Sequence, residues 1–209
     1  MNYTRNEALE ESLLNEMMSE IEDPSRKLNQ PSVSSLIYCL TKGYYDDVYG
    51  ASPDRKTKLY FTLGLGLERN LLVSRKHTAT EGNYEGIFFH TDAINNSNLL
   101  EMKTTRMKPG DEPSLTDNWK HQILGYLKCI GATTADFVTL HLIQPEIRAW
   151  TLEFTQEEVD ENWQYLLYRK SMWEHFRRIE EPPTAFTYNQ EYECTNCNWK
   201  LLCDARSNR

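Results

Sequence analysis

The chain begins with apolar residues at Leu9, Leu13, Leu14, Met17, Met18 and Ile21, three or four positions apart. That spacing predicts a helix over 6–22, ended by Asp23-Pro24. Residues 24–32 are polar, hold two prolines and read as a connector. Ser32 or Ser34 can cap a short helix through Leu36, Ile37, Cys39 and Leu40, with a turn expected at Gly43. Ser52-Pro53 supplies a cap and a first-turn proline for a helix to about Val73. The period then shortens: 82–94 and 98–105 read as two strands around an Asn95-Asn96-Ser97 turn. A polar loop at 106–114 leads to a helix over 115–130 that ends at Gly131. Residues 134–143 and 147–154 read as strands joined at Gln144-Pro145-Glu146. Thr155-x-x-Glu158 is a capping box for a long helix to about Arg178, which Pro182-Pro183 stops. The order predicts an α/β fold in which helices flank a mixed central sheet.

Composition narrows the classes. Of 209 residues, 39% are apolar, with 12 Tyr, 7 Phe and 5 Trp, which is enough for one core and excludes a wholly disordered chain. No stretch approaches the roughly 18 apolar residues of a membrane helix, so no membrane partner is expected. The first residues are acidic where a secretory leader would be basic, so the expected location is cytoplasmic. The net charge of −8 argues against a general polyanion binder. However, residues 1–23 hold seven of the 31 acids and one of the 23 basic residues, leaving 24 acids against 22 bases. A nucleic-acid site would therefore be a local basic channel.

Five cysteines stand at 39, 129, 194, 197 and 203. An odd number without an export signal makes a disulfide framework a poor expectation. Cys194-x2-Cys197-x5-Cys203 has the spacing of metal or iron–sulfur ligation.

The most informative residues lie on the middle strands. Side chains alternate along a strand, so Glu101 and Lys103 share a face, and Asp92 ends the preceding strand. Two converging carboxylates can bind Mg²⁺ or Mn²⁺ through oxygen, and a lysine beside them can hold a phosphate or help deprotonate a water. Phosphodiester hydrolysis needs that set. A Glu-x-Lys pair is very common, and alone it favours an ordinary surface hairpin. Further features accompany it: Gly86 before Asp92, Gln122-x3-Tyr126 on one helix face, and Gly64-x3-Glu68 late in a helix.

Taken in order, Gly64-x3-Glu68, Gly86 with Asp92, Glu101-x-Lys103 and Gln122-x3-Tyr126, with Cys39 and the distal cysteine triplet, resemble the RecB-like PD-(D/E)xK nucleases. Within them, the chain resembles the CRISPR-associated exonucleases that carry an iron–sulfur cluster, the fourth CRISPR-associated family. The resemblance runs from about residue 32 to 204. It implies a restriction-endonuclease-like core and Mg²⁺- or Mn²⁺-dependent DNA exonuclease activity on single-stranded ends, with 5′ to 3′ direction favoured. It implies metal ligation by Glu68, Asp92, Glu101 and the main-chain carbonyl of Met102. Lys103 would give catalytic support, and Gln122 and Tyr126 would orient the site and meet DNA. Cys39, Cys194, Cys197 and Cys203 would hold a [4Fe–4S] cluster joining the N- and C-terminal segments. DNA and CRISPR integration proteins are the implied partners. Residues 1–23 are set apart as an acidic helix, and 24–209 as a single nuclease domain.

Two rival readings stand beside this one. The cysteines could hold Zn²⁺ in a non-catalytic DNA or partner module, or the chain could be the end-recognition subunit of an integration complex. His121 and His90 flank the site in sequence, whereas His141 and Cys129 read as core residues. Arg106 and Lys108 border the site and could track a DNA strand, with Trp119 or Tyr126 available for stacking. Arg169, Lys170, Arg177 and Arg178 read as the solvated face of the long helix.

Overall fold

The computed structural model describes residues 6–19, 30–50, 55–75, 78–95, 98–184, 190–195 and 197–207. The expected helix end at Asp23-Pro24, the Ser52-Pro53 cap and the Asn96-Ser97 part of the expected turn lie outside these. Eight helices and five strands follow one another among them: α1 (Glu7–Ser19), α2 (Val33–Leu36), α3 (Leu40–Tyr49), α4 (Arg55–Arg75), β1 (Thr78–Tyr84), β2 (Ile87–Asn95), β3 (Asn98–Thr105), α5 (Asp117–Ile130), β4 (Thr134–His141), β5 (Glu146–Glu153), α6 (Gln156–Arg178), α7 (Gln190–Thr195) and α8 (Lys200–Ser207). They form two units, Met1–Leu28 with Ser52–Lys76, and Asn29–Ala51 with His77–Arg209.

The first unit pairs α1 with α4. Arg55 Nη2 meets Glu10 Oε2 at 2.8 Å, beside an apolar recess lined by Leu13, Met17 and Leu59.

The second unit is built on a mixed sheet in the order β1-β2-β3-β4-β5. Only β3 and β4 run parallel, and α5 makes the crossover between them. The other pairs are antiparallel. Ile123, Leu127, Leu99, Phe137, Trp163 and Leu166 form the core between sheet and helices. Each such side chain contributes about 1.5–3 kcal/mol when removed from water. At Gly125 a Cβ would come 2.9 Å from both Leu166 Cδ1 and Val33 Cγ1. This glycine is therefore what lets α2, α5 and α6 meet.

Caps form where the sequence calls for them. Thr155 and Glu158 make the capping box of α6, and Ser32 with Ser35 makes that of α2. This settles the choice between Ser32 and Ser34, leaving the Ser34 hydroxyl for another partner.

Three expectations are corrected. The single strand expected over 82–94 is a hairpin, β1 and β2, and Gly86 sits in its turn, not in a strand before Asp92. Glu85 and Gly86 have φ of 49° and 79°, the paired positive angles that suit a tight hairpin, and Asn83 Oδ1 accepts the Gly86 N–H at 2.9 Å. Gly43 lies inside α3, because buried Leu40, Tyr44 and Tyr45 sustain one helix; the chain leaves it at Gly50, φ 69°. Arg169 is not solvated. It is 2% exposed and donates to the carbonyls of Leu36 and Tyr38, where the short α2 ends without helical partners for them. Arg177 likewise pairs with Asp47 and covers the Trp173 ring at 3.7 Å.

The C-terminal segment docks on α3. Trp199 Nε1 donates to Asp46 Oδ1 at 2.6 Å and its ring packs on Tyr45 and Tyr49. Thr41 Oγ1 donates to the carbonyls of Pro183 and Thr184.

The Glu85-Gly86 turn generates a stability prediction. Gly86→Ala places a Cβ at positive φ and 2.8 Å from Lys170 Cε. The expected loss is about 1–2 kcal/mol, read as a lower urea midpoint at unchanged slope. An unaltered midpoint would mean that the turn relaxes freely.

Candidate active site

A one-residue irregularity in β2 shapes the site. Thr78 pairs with Ile94, but Thr80 pairs with Thr91, so Ala79 alone faces both Asp92 and Ala93. Such a bulge re-aims the side chains of the longer strand. Regular β2–β3 pairing also stops at Ala93 and Leu100. Just beyond it, Asp92 Oδ2 accepts the Met102 N–H at 2.8 Å. In an extended strand a residue's N–H and C=O point to the same side, so the Met102 carbonyl also faces β2.

On β3, Glu101 is 0% exposed and its Oε1 accepts a hydrogen bond from Lys103 Nζ. Burial alone would lower the Lys103 ammonium. The Glu101 and Asp92 carboxylates outweigh that and hold it well above the usual lysine range. Lys103 is a fixed cation in this arrangement. Buried Tyr126 closes the site from α5. Its hydroxyl lies 2.9 Å from Gln122 Nε2 and 3.1 Å from Ser34 Oγ, while Gln122 Nε2 also donates to Ser34 Oγ at 3.2 Å. Burial raises the Tyr126 hydroxyl, and Glu101 raises it further.

Asp92, Glu101, Lys103 and Tyr126 are thus brought together, with Gln122 behind Tyr126. Glu68 belongs to α4 in the other unit, and its side chain lies outside the described residues. Two carboxylates and the Met102 carbonyl are hard oxygen donors, and that chemistry fits Mg²⁺ or Mn²⁺. Among the described residues, no three His, Cys, Asp or Glu side chains converge to single-ion spacing.

The cysteines form a second locality. None of the five is in a disulfide. Burial raises the Cys194 thiol, and then Cys39 and Cys197 do; Cys203 is raised by burial and then by Cys197, Cys39 and Cys194. The four expected ligands are therefore electrostatic neighbours without single-ion spacing. Cys129 stands apart, packed on the core, and burial alone pushes its thiol up to about 12.

Other candidates take structural places. His121 bonds to Asn162 and stacks on Tyr165, linking α5 to α6. Trp119 is partly buried and packs on Phe137, whereas Tyr126 is buried, so the Tyr126 ring is not available to a DNA base.

The sequence reading missed three residues. Ser34 completes the Tyr126 triangle. Tyr38, 42% exposed, has a hydroxyl raised by burial, lowered by Lys103 and raised by Glu193 and Glu101. Its position one helical turn after Ser34 was the available signal. Glu193 accepts the Cys39 N–H at 3.0 Å and the Asn118 amide at 3.1 Å, and only its place beside Cys194 hinted at this.

No family model matches the chain, and no curated protein matches it. Among solved structures, the crystal structure of SSO0001 is 22% identical, with 94% of this chain and 96% of that one covered and a TM-score of 0.60. An alkaline exonuclease from Laribacter hongkongensis is 14% identical over 79% of this chain and 97% of its own, TM-score 0.47. A phage-related exonuclease from Haemophilus somnus 129PT is 11% identical over 73% and 96%, TM-score 0.49. The likeness to SSO0001 is one of fold. The two exonucleases, below a TM-score of 0.5, add nothing to it.

The separation of Cys129 from the other cysteines has a chemical consequence. With its thiol near 12, about one molecule in ten thousand carries the thiolate at pH 8. Iodoacetamide at pH 8 should leave Cys129 unlabelled in folded protein, with labelling rising as pH rises and on unfolding in urea. Mass-spectrometric peptide mapping reads it, and native labelling at the rate of a free cysteine would contradict the burial.

Proposed function

We propose that this protein is a metal-dependent deoxyribonuclease, an exonuclease hydrolysing phosphodiester bonds at single-stranded DNA ends in the 5′ to 3′ direction. The observation that carries the nuclease reading is the convergence of Asp92, Glu101, Lys103 and Tyr126 on the β2–β3 seam. Strand preference and direction rest on the sequence resemblance alone.

In this reading Asp92, Glu101 and the Met102 carbonyl would hold Mg²⁺ or Mn²⁺. Bound there, the ion would neutralise phosphate charge and acidify a water. Lys103 presents a fixed positive charge to a phosphate oxygen, and the Ser34–Gln122–Tyr126 triangle keeps the Tyr126 hydroxyl against the carboxylates. Burial of Glu101 keeps the local dielectric low, which strengthens each of these interactions.

The same reading gives Cys39, Cys194, Cys197 and Cys203 a [4Fe–4S] cluster, and CRISPR integration proteins as partners besides DNA. Support for the cluster is four thiols outside any disulfide and in mutual electrostatic reach, one at the start of α3 and three on the docked C-terminal segment.

Two experiments test this function. On labelled single strands and duplexes, purified protein should cut with Mn²⁺ or Mg²⁺ and stop with EDTA. Glu101→Ala and Lys103→Ala should each reduce cleavage by at least a hundredfold while keeping the circular dichroism of the parent. Glu101→Ala protein that digests DNA at the parental rate would overturn the assignment. For the cluster, Cys39→Ser should lower iron content, absorbance near 400 nm and melting temperature, as should serine at 194, 197 or 203, whereas Cys129→Ser should keep all three. Parental iron content in Cys39→Ser would remove that residue from the ligand set.

A further inference from the structure

Beyond the carboxylate site, a row of buried polar side chains continues along the sheet. In the parallel register Glu101, Lys103 and Thr105 of β3 lie opposite Phe137, Thr139 and His141 of β4. Thr139, Thr105 and His141 are all buried, His141 at 1% exposure. Buried histidines have to be satisfied, and this one is: its Nε2 lies 3.2 Å from Thr139 Oγ1 and its Nδ1 lies 2.8 Å from the carbonyl of Met107. A carbonyl only accepts, so Nδ1 carries a proton and donates it to Met107, and the Thr139 hydroxyl partners Nε2. Thr105 Oγ1 in turn accepts the Met107 N–H at 3.1 Å, while its carbonyl accepts the Leu142 N–H at 2.8 Å. Both polar main-chain atoms of Met107 are therefore held by buried side chains from the sheet. The segment so held, Arg106–Met107–Lys108, is exposed and begins three residues after Lys103.

Resting on the nuclease reading, we propose that His141 and Thr105 are positioning residues that clamp Arg106–Met107–Lys108 as the surface receiving the DNA backbone beside the scissile phosphate. Two cations on a free loop would lose rotamer and backbone freedom on binding. Cations on a loop already pinned through Met107 avoid the backbone part of that loss. The exposed Met107 side chain offers sugar or base an adaptable apolar contact. The clamp explains why a histidine that touches no catalytic group is buried at the end of β4.

The test uses the full chain and a 5′-fluorescein-labelled 20-nucleotide single strand. Binding is measured in EDTA across a salt series and cleavage with Mn²⁺. Arg106→Ala/Lys108→Ala should weaken binding and reduce the salt slope by about 1.4, two phosphate contacts at about 0.7 each. His141→Leu should raise KM about tenfold at unchanged kcat and reduce the slope in the same direction. His141→Asn, whose amide nitrogen can still donate to the Met107 carbonyl, should restore most of the binding. Added to Arg106→Ala/Lys108→Ala, His141→Leu should weaken binding no further. Thr105→Ala, judged in the same way, keeps the test open should His141→Leu fail to fold. Parental KM and slope in folded His141→Leu or Thr105→Ala protein, or an additive effect in the triple variant, would overturn the clamp. Failure of the nuclease reading looks different: the parent would show no metal-dependent cleavage at all.

Discussion

The site depends on one hydrogen bond, from the Met102 N–H to the Asp92 carboxylate. Antiparallel pairing of β2 with β3 ends at Ala93 and Leu100, and a buried backbone donor just beyond that point needs another acceptor. The bulge opposite Ala79 turns Asp92 to provide it. A side chain thus replaces a strand at the seam, and the space that a continued ladder would have filled is lined by carboxylate oxygen. Replacing Asp92 by an apolar residue would strand the Met102 N–H at about 1–3 kcal/mol, so stability and chemistry draw on the same group.

Glu101 and Lys103 make the complementary point. A fully buried carboxylate is tolerated only when paired, and a buried pair is often no more stable than apolar residues of the same volume. The fold gains little from placing them there. The pair sits beside Asp92 and beneath Tyr126, where its charges can act on a ligand. Lys103 pairs with Glu101 Oε1 and is thus in direct contact with one of the proposed metal ligands.

Periodicity and caps made most of the fold legible. The α/β class, the mixed sheet, strand β3 and the box at Thr155 follow from local rules, and local rules govern them. What the sequence concealed was set by long-range partners or by backbone sign. Glu85 gave no warning that it would adopt positive φ, so the β1–β2 hairpin read as one strand. Arg169 looked like one more cation on a polar helix, because its carbonyl partners lie more than 130 positions away. Of the site, Asp92, Glu101, Lys103, Gln122 and Tyr126 could be named from order and spacing. Ser34 and Tyr38 were not named, since their four-residue spacing points to no chemistry until Tyr126 and Lys103 stand beside them.

The peptide between Tyr38 and Cys39 belongs to both localities. Arg169 holds the Tyr38 carbonyl from α6, and Glu193 holds the Cys39 N–H from α7. The Tyr38 hydroxyl feels Lys103 and Glu101 of the carboxylate site and Glu193 of the C-terminal segment. Glu193 also reaches Asn118 in the first turn of α5, the helix that carries Gln122 and Tyr126. Docking of the C-terminal segment therefore fixes the start of α3 and the start of α5 at once, through one carboxylate. The sheet seam sets Asp92 and Glu101, Ser34 and Gln122 set Tyr126, and the C-terminal segment adds a tie to the first turn of the helix that carries both Gln122 and Tyr126.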